Sequence, residues 1–242
     1  MIKVFNLEKR YEQSTVLKSI NIEINRGEIV GLVGANGAGK TTLIKCLTKF
    51  LAPSQGEIFY KEKNIQELKR SEYPIAYIPD QAVLFEELTV KENLQFVGLA
   101  YGISMELIFE LINKLKLQDY TDILPNKLSK GNKQKLVIGM ALLNEFDILI
   151  ADEPFNGLDP ELVAIFKNIL LELKHNGKTI ILSTHLLDVA ETICDRYIII
   201  NNGDILIQGD KSYIESKINM EGESSLENIY MSLFDKGCES NA

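Results

Sequence analysis

The stretch "GANGAGKT", Gly34 to Thr41, restricts the fold of this chain more than any other feature. It fits the pattern G-x-x-x-x-G-K-[ST]. An apolar run, "GEIVGLVG", precedes it and reads as a buried central strand ending at Gly34; Gly39 to Lys49 then reads as a helix. Strand, glycine loop and helix in that order form a cradle. Backbone N–H groups of Gly34, Ala35, Asn36, Gly37, Ala38 and Gly39 can curl around phosphates, because a Cβ at the glycines would block close approach. The helix start adds free N–H groups and the positive end of its dipole. Lys40 places a point charge there, and the Thr41 hydroxyl, followed by Thr42, is suited to ligating Mg²⁺. The ligand implied is a nucleoside triphosphate. The pattern does not separate kinases, GTPases and ATPases.

The rest of the chain supplies a matching frame. "IKVFNL" and "VLKSINIEI" alternate apolar with polar residues, as half-buried strands do. "GEIFY" and "IAYIP" are further short strands separated by a charged loop, Lys61 to Glu72. From Thr89 to about Leu143 the period turns helical, which predicts a helical subdomain inserted into a sheet domain. Strand and helix then alternate through "DILIAD", Pro160 to Asn176, "TIILST" and a helix after His185. That rhythm implies a parallel sheet with right-handed crossovers. "RYIIINNGDILIQG" is a hairpin turning at Asn202-Gly203. The expected fold is α/β, with residues 1–210 as the main domain, its helical insertion at about 89–143, and a helical tail over 211–242 that frays.

Composition narrows the function. A net charge of -8 argues against broad contact with a phosphate backbone, so no nucleic-acid partner is expected. It leaves room for one small polyanion in a local pocket. The three cysteines, Cys46, Cys194 and Cys238, form no C-x-x-C pair and suit a reducing cytosol rather than a disulfide scaffold. No apolar run approaches the roughly 18 residues a membrane span needs.

Two further groups carry chemistry. "LSKGNKQK", Leu128 to Lys135, starts a second helix with a serine and a glycine, which makes a second anion site. "DILIADEP" ends an apolar strand in two carboxylates. Strand alternation points Asp152 and Glu153 to opposite sides, so one can complete a metal shell and the other can face water. Asp152 fits the metal, beside the Thr41 hydroxyl. Glu153 fits the base that orients or deprotonates an attacking water.

With these motifs in order, the chain resembles the ATP-binding subunit of an ABC transporter over about residues 2 to 210, most like those of two-component exporters. "GANGAGKT" matches Walker A, "ILIADEP" matches Walker B, and "LSKGNKQKL" takes the place of the family's L-S-G-G-Q motif. "NGLDP" resembles the D-loop and "STHLLDVAE" the switch-histidine segment. The resemblance implies ATP and Mg²⁺ as ligands, and a head-to-tail pair with an identical or different ATP-binding subunit. It implies an integral-membrane transporter subunit as the second partner, and a place in the cytoplasm, peripheral on the inner face of the membrane. It also resolves the duplicate anion sites: Ser129 and the N–H of Gly131, with Lys130 and Asn132 beside them, would serve the γ-phosphate held by the partner's cradle. By the same resemblance Tyr11 stacks on adenine, His185 bonds the γ-phosphate, and Asp159 links the two sites across the pair. Export of a peptide, drug or lipid follows by analogy from the short tail and "SLENIYMSLF". A non-transport relative acting on nucleic acid or ribosomes is the alternative.

Two departures stand out. Asp80 aligns with the family's Q-loop glutamine, with Gln81 next to it, and is expected to keep the metal-sensing role. Lys130 and Asn132 replace glycine and glutamine. A cation at a helix start is locally unfavourable by roughly 0.3–1 kcal/mol, a sign that a neighbouring triphosphate can reverse.

Overall fold

The computed structural model describes residues 1–220 and 224–239. Two sheets form its frame. The smaller is antiparallel, in the order β2 (Ser14–Ile24), β1 (Ile2–Tyr11), β4 (Gln55–Tyr60), β5 (Lys63–Asn64). The larger runs β10 (Asp204–Gly209), β9 (Arg196–Asn201), β3 (Ile29–Val33), β8 (Thr179–Thr184), β7 (Ile148–Asp152), β6 (Ile75–Ile78). From β9 to β6 every pairing is parallel; β10 closes the edge antiparallel. β3, β7 and β8 are buried along their whole length, which explains their continuous apolar runs. β1 and β2 are buried on one face only, hence their alternation.

Helix α1 (Lys40–Leu47) packs between the sheets, where Leu43, Ile44 and Leu47 join Ile22, Ile58 and Ile150 in one core cluster. It is shorter than expected, because Lys49 turns at φ +64. The predicted helical stretch contains α2 (Val90–Tyr101), α3 (Met105–Lys114) and α4 (Lys130–Leu142). Thr89 and Glu92 form a capping box at the start of α2. Ser104 caps α3 and Ser129 caps α4 through their hydroxyls. Buried Asn93 staples the preceding loop: its amide bonds Phe85, Leu88 and Thr89. α5 (Pro160–His175) and α6 (Leu187–Ile193) follow β7 and β8 as crossover helices, and Phe166 and Ile193 share a core with Leu149 and Leu182.

Asn202 and Gly203 adopt φ +47 and +82, as the hairpin turn requires. The loop expected over Lys61–Glu72 holds β5 and a short 3₁₀ turn at Arg70–Glu72. The tail forms α7 (Lys211–Ile218) and α8 (Leu226–Glu239). The expected frayed end lies beyond residue 239, outside the described residues. Among the described residues no helix is long and apolar enough to cross a membrane.

Candidate active site

The cradle lies between the end of β3 and the start of α1. Gly34 is demanded by space rather than by φ: a Cβ there would stand 2.4 Å from the Ile200 carbonyl oxygen. Gly39, by contrast, sits at φ +110 as the residue before α1, and no side chain caps that helix start. Its first turn also carries no acidic residue. The helix N–H groups therefore face an anion without competition from the chain's own carboxylates. Ala35, Asn36, Gly37 and Thr41 are exposed, Thr42 is half-buried, and Ala38 and Lys40 are buried. Lys40 folds back over the loop, with Nζ donating to the Gly34 carbonyl at 2.7 Å and the Ala35 carbonyl at 3.3 Å.

The two carboxylates part by a route other than strand alternation. β7 ends at Asp152, and Glu153 turns into the left-handed region at φ +49. For a residue other than glycine this is an unusual conformation, held here by its neighbours. The Ser183 hydroxyl, on adjacent β8, accepts the Glu153 N–H at 2.9 Å and donates to Asp152 Oδ1 at 2.6 Å. One serine thus fixes both acids. Sequence reasoning missed it; its signal was a polar residue, "ST", closing an apolar strand. Glu153 Oε2 meets His185 Nδ1 at 2.9 Å, and Oε1 lies 3.3 Å from Lys40 Nζ, within ion-pair reach but without a hydrogen bond. Glu153 is buried while the His185 side chain is half exposed, so the histidine can reach outward to a ligand and inward to the acid.

Asp152 is fully buried and its Oδ2 has no hydrogen-bond partner. An orphaned carboxylate oxygen is costly unless something completes it. Thr41, Asp80, Gln81 and Asp152 line one cavity of about 1030 Å³. Burial first, then Asp152 and Asp80, pushes the neighbouring Tyr77 hydroxyl up to about 12. Among the described residues no group of three His, Cys, Asp or Glu side chains could hold a metal. A hydroxyl, one or two carboxylates and phosphate oxygens suit Mg²⁺ instead. Asp80 is exposed and accepts a 3.4 Å bond from Asn156 Nδ2.

The serine-glycine helix start faces elsewhere. Ser129 Oγ accepts the Asn132 N–H at 3.2 Å. A Cβ on Gly131 would stand 2.7 Å from the Gly157 carbonyl oxygen, so close packing on the loop after β7 also requires this glycine. Gln134 Nε2 donates to the Pro154 carbonyl. The stem of Lys130 lies across Gly157 while the residue stays exposed. Among the described residues, no hydrogen bond or ion pair joins Ser129–Asn132 to the cradle of their own chain. Asp159 caps α5 by accepting the Leu162 N–H. Tyr11 is exposed at the end of β1 with Lys9 Nζ 5.3 Å from its ring centre, so it is no packed strand residue.

A glycine loop between strand and helix, a buried acid between lysine and histidine, and a separate serine-glycine helix start on one α/β frame are the arrangement expected of an ATP-binding cassette. Comparison with known proteins agrees. Residues 17–156 match the family model described as ABC transporter, and the chain belongs to that family. The ATP-binding protein EcsA of Bacillus subtilis is 35% identical over 96% of both chains. The lantibiotic transport ATP-binding protein SrtF of Streptococcus pyogenes is 32% identical over 98% of this chain and 99% of its own. Among solved structures, an ATP-binding subunit of an ABC transporter superposes with a TM-score of 0.88 at 35% identity, covering 97% of this chain and 99% of that one. The MJ0796 cassette dimer bound to ADP and Pi gives 0.77 at 25%, over 92% and 100%. The chain is an ATP-binding and ATP-hydrolysing subunit of an ABC transporter.

Proposed function

We propose that ATP is hydrolysed at a site shared by two subunits, identical or different, and that closing and opening of the pair drives a separate membrane subunit. The observation that carries this reading is the orientation of Ser129 and Gly131. Their helix start packs on the Pro154–Gly157 loop and is bonded to nothing in its own cradle. A head-to-tail partner gives it a phosphate to bind, and gives the cradle the donors it lacks.

In this scheme the cradle N–H groups and Lys40 hold the β- and γ-phosphates, and the adenine lies on Tyr11. Thr41 and Asp152, with Asp80 nearby, would hold Mg²⁺, which neutralises charge on the phosphate oxygens. Lys40 then exchanges its contact with Glu153 for the phosphates, which frees one carboxylate oxygen. Glu153 takes a proton from water as the water oxygen bonds to the γ-phosphorus. The bridging bond to the β-phosphate breaks, leaving ADP and inorganic phosphate. His185 steadies the acid through Oε2 and reaches the γ-phosphate with its other nitrogen. Ser129, Gly131, Lys130 and Asn132 act from the partner, and Asp159 sits where the two sites communicate. With the terminal phosphate gone, the shared contacts weaken and the halves part.

The 1030 Å³ cavity supports a membrane partner. Phe50, Tyr77, Val83 and Val97 line it, Lys45 and Arg70 rim it, and it reaches Asp80 beside the cradle. A short amphipathic helix of the partner fits such a groove. SrtF is named for lantibiotic transport, and a Nod factor export protein of Burkholderia lata is 34% identical. Export of a peptide, drug or lipid is the direction these names favour, from a subunit held on the inner face of the membrane. Purified in detergent from its native cells, the chain is expected to bring a polytopic membrane protein with it. Recovery with RNA or DNA alone would favour the nucleic-acid alternative and overturn this assignment.

A further inference from the structure

The two oxygens of Asp152 are not equivalent. Asp152 lies opposite Ser183 in the parallel pairing of β7 with β8, and both residues are fully buried. Oδ1 accepts the Ser183 hydroxyl at 2.6 Å, the short distance of a bond to an ionised acceptor, and makes no other hydrogen bond among the described residues. Oδ2 makes none. The Glu153 N–H occupies a lone pair of the same serine oxygen at 2.9 Å, which leaves the hydroxyl proton directed at Asp152. Two bonds thus run in line, N–H to hydroxyl to carboxylate, each polarising the next. The Glu153 N–H also reaches the Ser183 carbonyl at 3.2 Å, so the turn at Glu153 has a second hold. Asp152 Oδ1 has no second hold, and without the hydroxyl both of its carboxylate oxygens would be orphaned in the core.

We propose that Ser183 is a positioning residue that sets the choice of metal: by occupying Oδ1 it leaves Asp152 one oxygen to offer, which favours Mg²⁺ over Ca²⁺. The physical reason is the difference between the two coordination shells. Mg²⁺ demands a near-octahedral arrangement, which both oxygens of one carboxylate are too close together to span. Ca²⁺ gathers more oxygens in a looser shell and readily takes both from one carboxylate. A carboxylate pinned through Oδ1 cannot turn to present both oxygens, so the larger ion loses the mode that suits it best. Hydrogen bonds behind a metal ligand commonly carry about 10–100-fold in metal affinity. Ser183 touches no reacting atom and works only through Asp152, so its loss should appear in the ratio between cations and not as a uniform loss of binding.

The inference rests on Asp152 being the metal-holding acid, and the test separates the two. Binding of a fluorescent, non-hydrolysable ATP analogue to the full-length chain is measured with Mg²⁺, with Ca²⁺ and with EDTA alone. The ratio of Kd in EDTA to Kd with a cation is the gain from that cation, free of turnover. Ser183→Ala removes the hydroxyl, Ser183→Thr keeps one, and Asp152→Asn is the reference for a lost metal acid. In the parent, Mg²⁺ is expected to give the larger gain. Ser183→Ala should cut the Mg²⁺ gain by about tenfold while the Ca²⁺ gain stays within about twofold. Ser183→Thr should restore the parental ratio. If Ser183→Ala melts too low to titrate, Ser183→Cys fills the site with a weaker donor and carries the same comparison. The proposal is overturned if removing the hydroxyl keeps the parental ratio of the two gains while Asp152→Asn loses both. A parent that gains equally from both cations overturns it as well. So does a Ser183→Ala chain in which both gains, binding in EDTA and melting temperature fall together, since the serine would then only support the fold. If Asp152→Asn keeps the full Mg²⁺ gain, the metal assignment of Asp152 fails and carries this proposal with it.

Discussion

Replacing Glu153 by glutamine is expected to cut kcat by about 10²–10⁴-fold, the usual contribution of a positioned general base, while ATP still binds. Glutamine keeps the length and can still accept from His185, whose Nδ1 lies 2.9 Å from Oε2. It cannot take a proton from water. The left-handed turn at φ +49 and the Ser183 bond to the backbone N–H do not depend on the carboxylate, so the site geometry should survive. The check is single-turnover hydrolysis, which isolates the chemical step from release. A rate within a factor of a few of the parent would remove Glu153 from the chemistry.

Lys40→Ala is expected to weaken ATP binding by at least about 10²-fold, because two hydrogen bonds to charged oxygens contribute roughly 1.5–3 kcal/mol each. Lys40 is buried, and its Nζ sits among the Gly34 and Ala35 carbonyls and Glu153 Oε1. Alanine removes the one cation in that cluster and leaves Glu153 Oε1, which has no hydrogen bond, facing the incoming phosphates. Repulsion then adds to the lost attraction. Titration with a fluorescent nucleotide measures it directly, and binding within threefold of the parent would contradict the placement of Lys40.

Much of this molecule is legible in its sequence because its signals are local. Alternation marks β1 and β2 since each buries one face, and the apolar runs of β3, β7 and β8 mark strands covered on both. The cradle pattern and the helix start at Ser129 follow from residue types at fixed short spacing, whereas the cap that Asp159 makes on α5 shows only in the fold. What stayed hidden is long-range. Ser183 lies thirty residues from Glu153 in sequence, and nothing periodic links them. Gly131 reads as a phosphate glycine, yet its closest demand is the Gly157 carbonyl. The split between Asp152 and Glu153 comes from a strained turn held by tertiary contacts, where strand rules no longer apply.

The shared site is the claim on which the mechanism turns, and the mass of the Glu153→Gln chain tests it most directly. Measured by light scattering in solution, and in lipid with its membrane subunit, the 27.3 kDa chain should pair when ATP and Mg²⁺ are added. It should separate again when Ser129→Arg is introduced into the same chain. A chain that binds ATP in both settings and yet keeps the mass of one subunit would contradict the account.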